Sequence, residues 1–168
     1  MPPWKKPLDV DRLADGGVDV EFDIPIEELP GLRSARGGVA GKVRGRVRFT
    51  REQGTAVAEL SLSGSATLEC QRCLRPMELP LEVVTRIALV SSAAQSNRVP
   101  PDLEPVLAAE GRISIGELVT EELLLSLPIV ALHPPGTRCA GVPADPATPE
   151  QGAPTHKPFA RLAELLKR

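Results

Sequence analysis

The sequence predicts an α+β protein: an antiparallel β meander packed against one central helix, with a short C-terminal helix. Three observations carry this expectation. Apolar and polar residues alternate through successive segments between Val18 and Leu89, joined by short turns. The hydrophobic period then switches to a helical one after Ser114. The 168 residues, 42% apolar and 25% charged, suit one domain with one core, which at this length buries roughly 70% of the unfolded surface.

The first strand reads from Val18 to Ile26, with Val18, Val20, Phe22, Ile24 and Ile26 on one face and Asp19, Glu21 and Asp23 on the other. Pro25 weakens its end or places it at a sheet edge. After a loop containing Pro30, Gly31, Gly37 and Gly38, a second strand sets Lys42, Arg44, Arg46 and Arg48 against Val43, Val47 and Phe49. Gln53-Gly54 turns the chain into a third, with Ala56, Ala58, Leu60 and Leu62 on one side. A break is expected near Gly64 before Ala66-Thr67-Leu68-Glu69, and a further strand follows Pro76 with Leu79, Leu81, Val83, Thr85, Ile87 and Leu89 aligned. Consecutive strands with short connections mean an antiparallel meander.

From Ser91 to Arg112 the chain is polar and carries three prolines, which reads as a long loop. Ser114-Ile115-Gly116-Glu117 has the spacing of a capping box, and Ile115, Leu118, Val119 and Leu123 supply one helical face. The helix should run to about Ser126, ahead of Pro128. Leu123, Leu124, Leu125 and Leu127 make its end apolar nearly all round, so it should pack under the sheet. Glu117, Glu121 and Glu122 fit a cap and an exposed helix face. Between Pro134 and Pro158 lie seven of the eighteen prolines, a density that favours a mobile segment over about 140–157. Pro158 then opens a short helix with Phe159, Leu162, Leu165 and Leu166 on its apolar side. Without repeats, residues 1–168 form a single domain.

Composition narrows the function. The net charge of −2 argues against a uniformly basic nucleic-acid coat but leaves room for a local basic patch. With one Trp, three Phe and no Tyr, the composition argues against platforms for stacking single-stranded bases. No apolar run reaches a membrane span, and the opening Met1-Pro2-Pro3-Trp4-Lys5-Lys6-Pro7 lacks the apolar core of a signal peptide. A cytoplasmic protein is expected. Three cysteines, an odd number, fit a reducing compartment better than a disulfide framework. Neither histidine has a triad-like setting, and no phosphate-cradling glycine loop, serine nucleophile or paired acid stands out. Residue chemistry alone leads to a non-enzymatic binding module.

Cys70-Gln71-Arg72-Cys73 is the sharpest motif. Two thiolates so spaced on a tight turn reach one tetrahedral zinc at about 2.3 Å each. The setting, between a strand and Leu74-Arg75-Pro76, lacks the βαβ context of a thioredoxin-type redox pair. His133 and Cys139, joined by a short turn-rich loop, are the other candidate ligands. Zinc and plain free thiols are both open readings.

Lys42, Arg44, Arg46 and Arg48 share one parity, so a strand presents them on one face about 7 Å apart. That spacing suits successive phosphates along a nucleic-acid strand. The competing account is equally specific. Asp19, Glu21 and Asp23 form an acidic row on the preceding strand, and cross-strand pairing would neutralise both rows. Lys167, Arg168 and His156 need no function beyond complementing a helix end or meeting solvent.

Three stretches in order resemble the YceD family, the large ribosomal RNA subunit accumulation proteins. They are Leu68-Glu69-Cys70-Gln71-Arg72-Cys73-Leu74 with Pro76; Ile113 through Leu123, with Ser126-Leu127-Pro128, His133 and Cys139; and Lys157-Pro158-Phe159-Ala160 with Leu162, Leu165 and Lys167-Arg168. With the Lys5-Lys6-Pro7-Leu8 opening they span most of the chain. The resemblance implies a bacterial cytoplasmic factor supporting synthesis, processing or stability of large-subunit ribosomal RNA, without established enzymatic activity. Its partners would be the RNA precursor or its processing and assembly machinery, with no membrane and no small-molecule substrate. Some members carry further cysteines around Cys139 that complete a four-sulfur site; this chain has Cys139 alone there. The alternative is a protein–protein adaptor that recruits a nuclease or assembly factor through the C-terminal helix and touches no RNA.

Overall fold

Alternation in the sequence is realised as long, continuous strands. The computed structural model describes residues 2–32, 39–134, 137 and 139. In chain order the elements are strand β1 (Leu8–Asp9), helix α1 (Val10–Gly16), strands β2 (Asp19–Pro25), β3 (Ala40–Glu52), β4 (Thr55–Glu69) and β5 (Pro76–Val90), helix α2 (Ala93–Ser96), strands β6 (Glu104–Leu107) and β7 (Arg112–Ile113), and helix α3 (Ile115–Ser126). The proline-rich segment 140–157 and the helix expected from Pro158 lie outside the described residues.

Strands β2 to β5 form the expected antiparallel meander, in the order β2-β3-β4-β5-β6. Its inner face carries Val43, Val47 and Phe49 from β3, Ala58, Leu60, Leu62, Ala66 and Leu68 from β4, and Met77, Leu81, Ile87 and Leu89 from β5, all buried in one core. Register follows from parity: slipping β3 by one residue would bury its basic row and expose Phe49. Pro25 is the last residue of β2, an edge strand, where its missing N–H costs the ladder least.

The structure corrects the sequence reading in four places. The expected break near Gly64 does not occur, and β4 runs unbroken through it. An ideal Cβ at Gly64 would lie 2.1 Å from the Lys42 carbonyl oxygen, and one at Gly45 2.1 Å from that of Ser61. These glycines stand where the β3 and β4 backbones approach too closely for a side chain. Second, the stretch from Ser91 to Arg112 is not structureless. It contains α2 and β6, and β6 adds to β5 in parallel with Ile87 opposite Glu104. Leu103 packs there on Val57 and Ala88 of the outer sheet face. Its four residues are too few to show alternation, three of them are exposed, and Pro105 argues locally against a strand, so β6 was hidden in the sequence.

Third, one helix does not close the core alone. The short α1 packs on β3 and β4, and α3 packs on β5 and the N-terminal turn around Trp4. Asp9 caps α1 by accepting from the Arg12 N–H, and Gly17 ends it in the left-handed conformation. Arg51 of β3 then pairs with Asp11, at 2.7 Å, and with Asp15. Fourth, the end of α3 is not buried all round. The capping box of Ser114 and Glu117 is present, and Ile115, Leu118, Val119 and Leu123 are buried as expected. Leu124 and Leu125, however, are 42% and 66% exposed, and Glu122, expected in solvent, is buried. A helix on a sheet buries one stripe, so consecutive leucines cannot all face inward. No helix among the described residues is long and apolar enough to cross a membrane.

Candidate metal centre

The β4–β5 hairpin ends in a tight knuckle. The Cys70 N–H donates to the Arg75 carbonyl at 2.9 Å, and the Leu74 N–H donates to the Cys70 carbonyl at 2.8 Å. Leu74 closes the turn with φ of 58°, a conformation uncommon for a leucine, so the surroundings must hold it. The segment after α3 returns to this turn: the Gln71 N–H donates to the Ala131 carbonyl at 2.9 Å. That bond brings His133 and Cys139 to the cysteine pair. It was invisible in the sequence, because a backbone carbonyl carries no residue signature.

All four expected ligands converge. The ligand atoms of Cys70, Cys73, His133 and Cys139 lie within 4.8 Å of one another. Cys73 Sγ is 3.6 Å and Cys139 Sγ 3.5 Å from His133 Nδ1, while Cys70 Sγ is 4.0 Å from Cys139 Sγ. A regular tetrahedron with zinc–sulfur bonds of about 2.3 Å and a zinc–nitrogen bond of about 2.0 Å has sulfur–sulfur edges near 3.8 Å and sulfur–nitrogen edges near 3.5 Å. These three separations match tetrahedral edges, and the whole set is compact enough to close on one ion. Cys70 and Cys139 are buried, and Cys73 and His133 half-buried.

Electrostatics suit a cation. Burial acts to raise the Cys70 thiol, but the N–H groups of His133, Arg72 and Cys73 and the His133 ring outweigh it and bring the thiol down to about 6. Cys139 is pushed up by burial and by the neighbouring Cys73 and Cys70 sulfurs. Thiols this close cannot all ionise without a counter-charge, and a divalent ion supplies one. Arg72 and Arg75 stand exposed on the same turn. Sequence reading gave Arg72 a place only within the cysteine motif and Arg75 only in the turn after it.

The basic row is also real as geometry. Lys42, Arg44, Arg46 and Arg48 are all exposed on the outer face of β3. The acidic row lies directly beside it: Asp19 opposes Arg48, Glu21 opposes Arg46 and Asp23 opposes Arg44. Lys42 pairs with Asp23 at 2.9 Å and Arg46 with Asp19 at 3.8 Å, both in well-exposed settings where such pairs are weak. Arg44 and Arg48 form no ion pair among the described residues. On the next strand the row faces Ser65, Ser63, Ser61 and Glu59. Farther along the outer face, Arg86 gathers Glu52, Glu59 and Asp102 and ties three strands to the loop before β6.

Comparison with known proteins points in one direction. A family model described as "Large ribosomal RNA subunit accumulation protein YceD" matches residues 58–166. A Haemophilus influenzae protein of the same name is 34% identical over 106 residues, covering 60% of each chain. The present chain therefore spans about 60% of that relative's length in the match. No solved structure matches.

Proposed function

Because the chain belongs to the YceD family, we propose that it promotes accumulation of large-subunit ribosomal RNA as a non-enzymatic binding module of the bacterial cytoplasm. The observation that carries the non-catalytic part is the closed ligand set at the knuckle. Three thiols and one imidazole lie within 4.8 Å of one another, and both thiols measured against the imidazole stand at tetrahedral-edge distances. Structural zinc sites use four protein ligands, whereas catalytic ones leave a position for water. Zinc held by Cys70, Cys73, His133 and Cys139 would lock the β4–β5 hairpin to the segment after α3. It would also fix the direction in which Arg72 and Arg75 project.

RNA would be met on the outer sheet face. Arg44 and Arg48, which have no ion pair among the described residues, are the first phosphate contacts, with Lys42 and Arg46 released from their carboxylates on binding. Contacts of this kind position a backbone and carry no base identity. Filter binding of precursor large-subunit RNA across a salt series tests the reading. Replacing Arg44 and Arg48 by Gln should lower the log–log salt slope by about 1.4, at roughly 0.7 per phosphate contact on single strands. Equal affinity and slope in parent and variant would remove the sheet face from RNA binding.

The cross-strand register supports a second reading, in which the acidic row already satisfies the cations and the module recruits a protein of the processing or assembly machinery. In that case retention of the RNA in cell extract would depend on a protein partner and not on Arg44 and Arg48.

A further inference from the structure

Five of the eight large apolar side chains left exposed among the described residues fall within nine residues of chain: Leu124, Leu125, Ile129, Val130 and Leu132. Ile129 is 82% and Leu125 66% exposed. Leu124 and Leu125 lie at the end of α3, and Ile129, Val130 and Leu132 follow on the segment that returns to the knuckle. Single exposed leucines need no explanation, but exposure concentrated on one stretch of chain suits a covering partner.

We infer that this strip is the docking site of the chain's own C-terminal segment, residues 158–166. Four observations favour that occupant over any other. The strip ends at Leu132, one residue before the ligand His133, whose ring nitrogen lies 3.5 Å from the Cys139 sulfur. The remaining chain therefore departs from beside the strip. Second, the reach is ample. Residues 140–157 number eighteen, which span about 23 Å as a flexible chain and up to about 56 Å as an extended proline-rich one. Docking within one molecule proceeds at an effective concentration in the millimolar range, so modest contact suffices.

Third, the segment has the complementary pattern. Phe159, Leu162, Leu165 and Leu166 recur at helical spacing, and Lys157, Arg161, Lys167 and Arg168 flank them with Glu164 as the lone acid. Exposed Glu121 stands one helical turn before Leu124 and Leu125 on α3 and supplies an acidic neighbour for these cations. Fourth, the family match is continuous from the sheet through the strip to residue 166, so strip and segment belong to one evolutionary unit. An amphipathic helix laid against an apolar strip is a recurring recognition mode, read as anchors at such spacing. The inference stands whether the protein binds RNA or a protein partner.

Hydrogen exchange of the full chain, read by mass spectrometry, tests it from both sides. One variant carries Leu162→Asp with Leu165→Asp. The other carries Leu125→Asp with Ile129→Asp, two exposed positions whose change leaves the core intact. Peptides from 127–134 should exchange at least about tenfold faster in the first variant, and peptides from 158–166 in the second. This reciprocity should be independent of protein concentration. Absence of either change overturns the inference. So does protection that fades on dilution together with a doubled mass by light scattering, since the strip would then hold a second copy. Lack of protection of 158–166 in the parent overturns it as well, leaving the strip to another partner.

Discussion

Gly64→Ala separates local preference from tertiary packing, because the two demand opposite signs. By local preference alone, replacing glycine within a strand stabilises by roughly 0.5–1 kcal/mol, since the unfolded chain loses freedom. In the fold, the new Cβ would sit 2.1 Å from the Lys42 carbonyl oxygen and 3.0 Å from Val43 Cα. Ordinary contact for such atoms is about 3.4 Å, so β3 and β4 must part by more than an ångström. Both obstacles are backbone, in the middle of a ladder running from Ala40–Thr67 to Glu52–Thr55. Overpacking of this kind costs about 1–3 kcal/mol, and two stretched ladder bonds add about 1 kcal/mol each. A net loss of about 2–4 kcal/mol is expected. Urea unfolding followed by far-UV circular dichroism, with the single Trp4 as a second probe, reads the midpoint and slope. The exposed neighbour Ser63→Ala should stay within about 0.5 kcal/mol. A Gly64→Ala midpoint at or above that of the parent would refute the close-approach account.

Metal analysis of protein prepared without chelator should give about one zinc per chain, lost in Cys139→Ser and in His133→Ala; a metal-free parent that takes up no added zinc would leave four ordinary side chains. Leu123→Ala should destabilise by about 2–5 kcal/mol, whereas Leu124→Ala, 42% exposed, should cost less; a loss below about 0.5 kcal/mol at Leu123 would put α3 on the surface. Burial, followed by the charges of Glu104 and Glu121, holds the Glu122 carboxyl above its ordinary value, so the folded state favours its protonated form. That burden is absent in acid and grows as pH rises through the ordinary carboxylate range, so Glu122→Gln should melt higher at pH 7 with the gain fading below about pH 4. A gain of equal size at both pH values would trace the effect to packing.

The meander and α3 were legible because their signals are local. Parity along Asp19–Pro25, Ala40–Glu52 and the first half of β4 is set within each strand, and the Ser114–Glu117 box within one turn. Elements whose stability comes from elsewhere were not. The two-residue strands β1 and β7 exist only by pairing with each other, Leu8 opposite Ile113. Helix α1 has seven residues, too few to be helical alone, and rests on its caps and on Arg51 from β3. The candidate site divides in the same way. The ligand types and the paired spacing of Cys70 and Cys73 could be read directly, but not the Gln71–Ala131 bond that delivers the other two ligands.

By itself, the sequence determined which residues could be partners: which strand positions share a face, which four side chains could ligate a metal, and which two rows have opposite charge. Only the tertiary structure decided which partners meet. It placed His133 and Cys139, sixty or more positions along the chain, within hydrogen-bonding distance of Cys73 and Cys70, and set Asp19, Glu21 and Asp23 opposite the basic row. It also turned Leu124 and Leu125 outward on a helix whose leucines looked alike. The physical reason is common to all three. Alternation and helical period specify a face, whereas contact between distant segments depends on where the chain is returned, and that is fixed by backbone bonds and packing that no residue type announces.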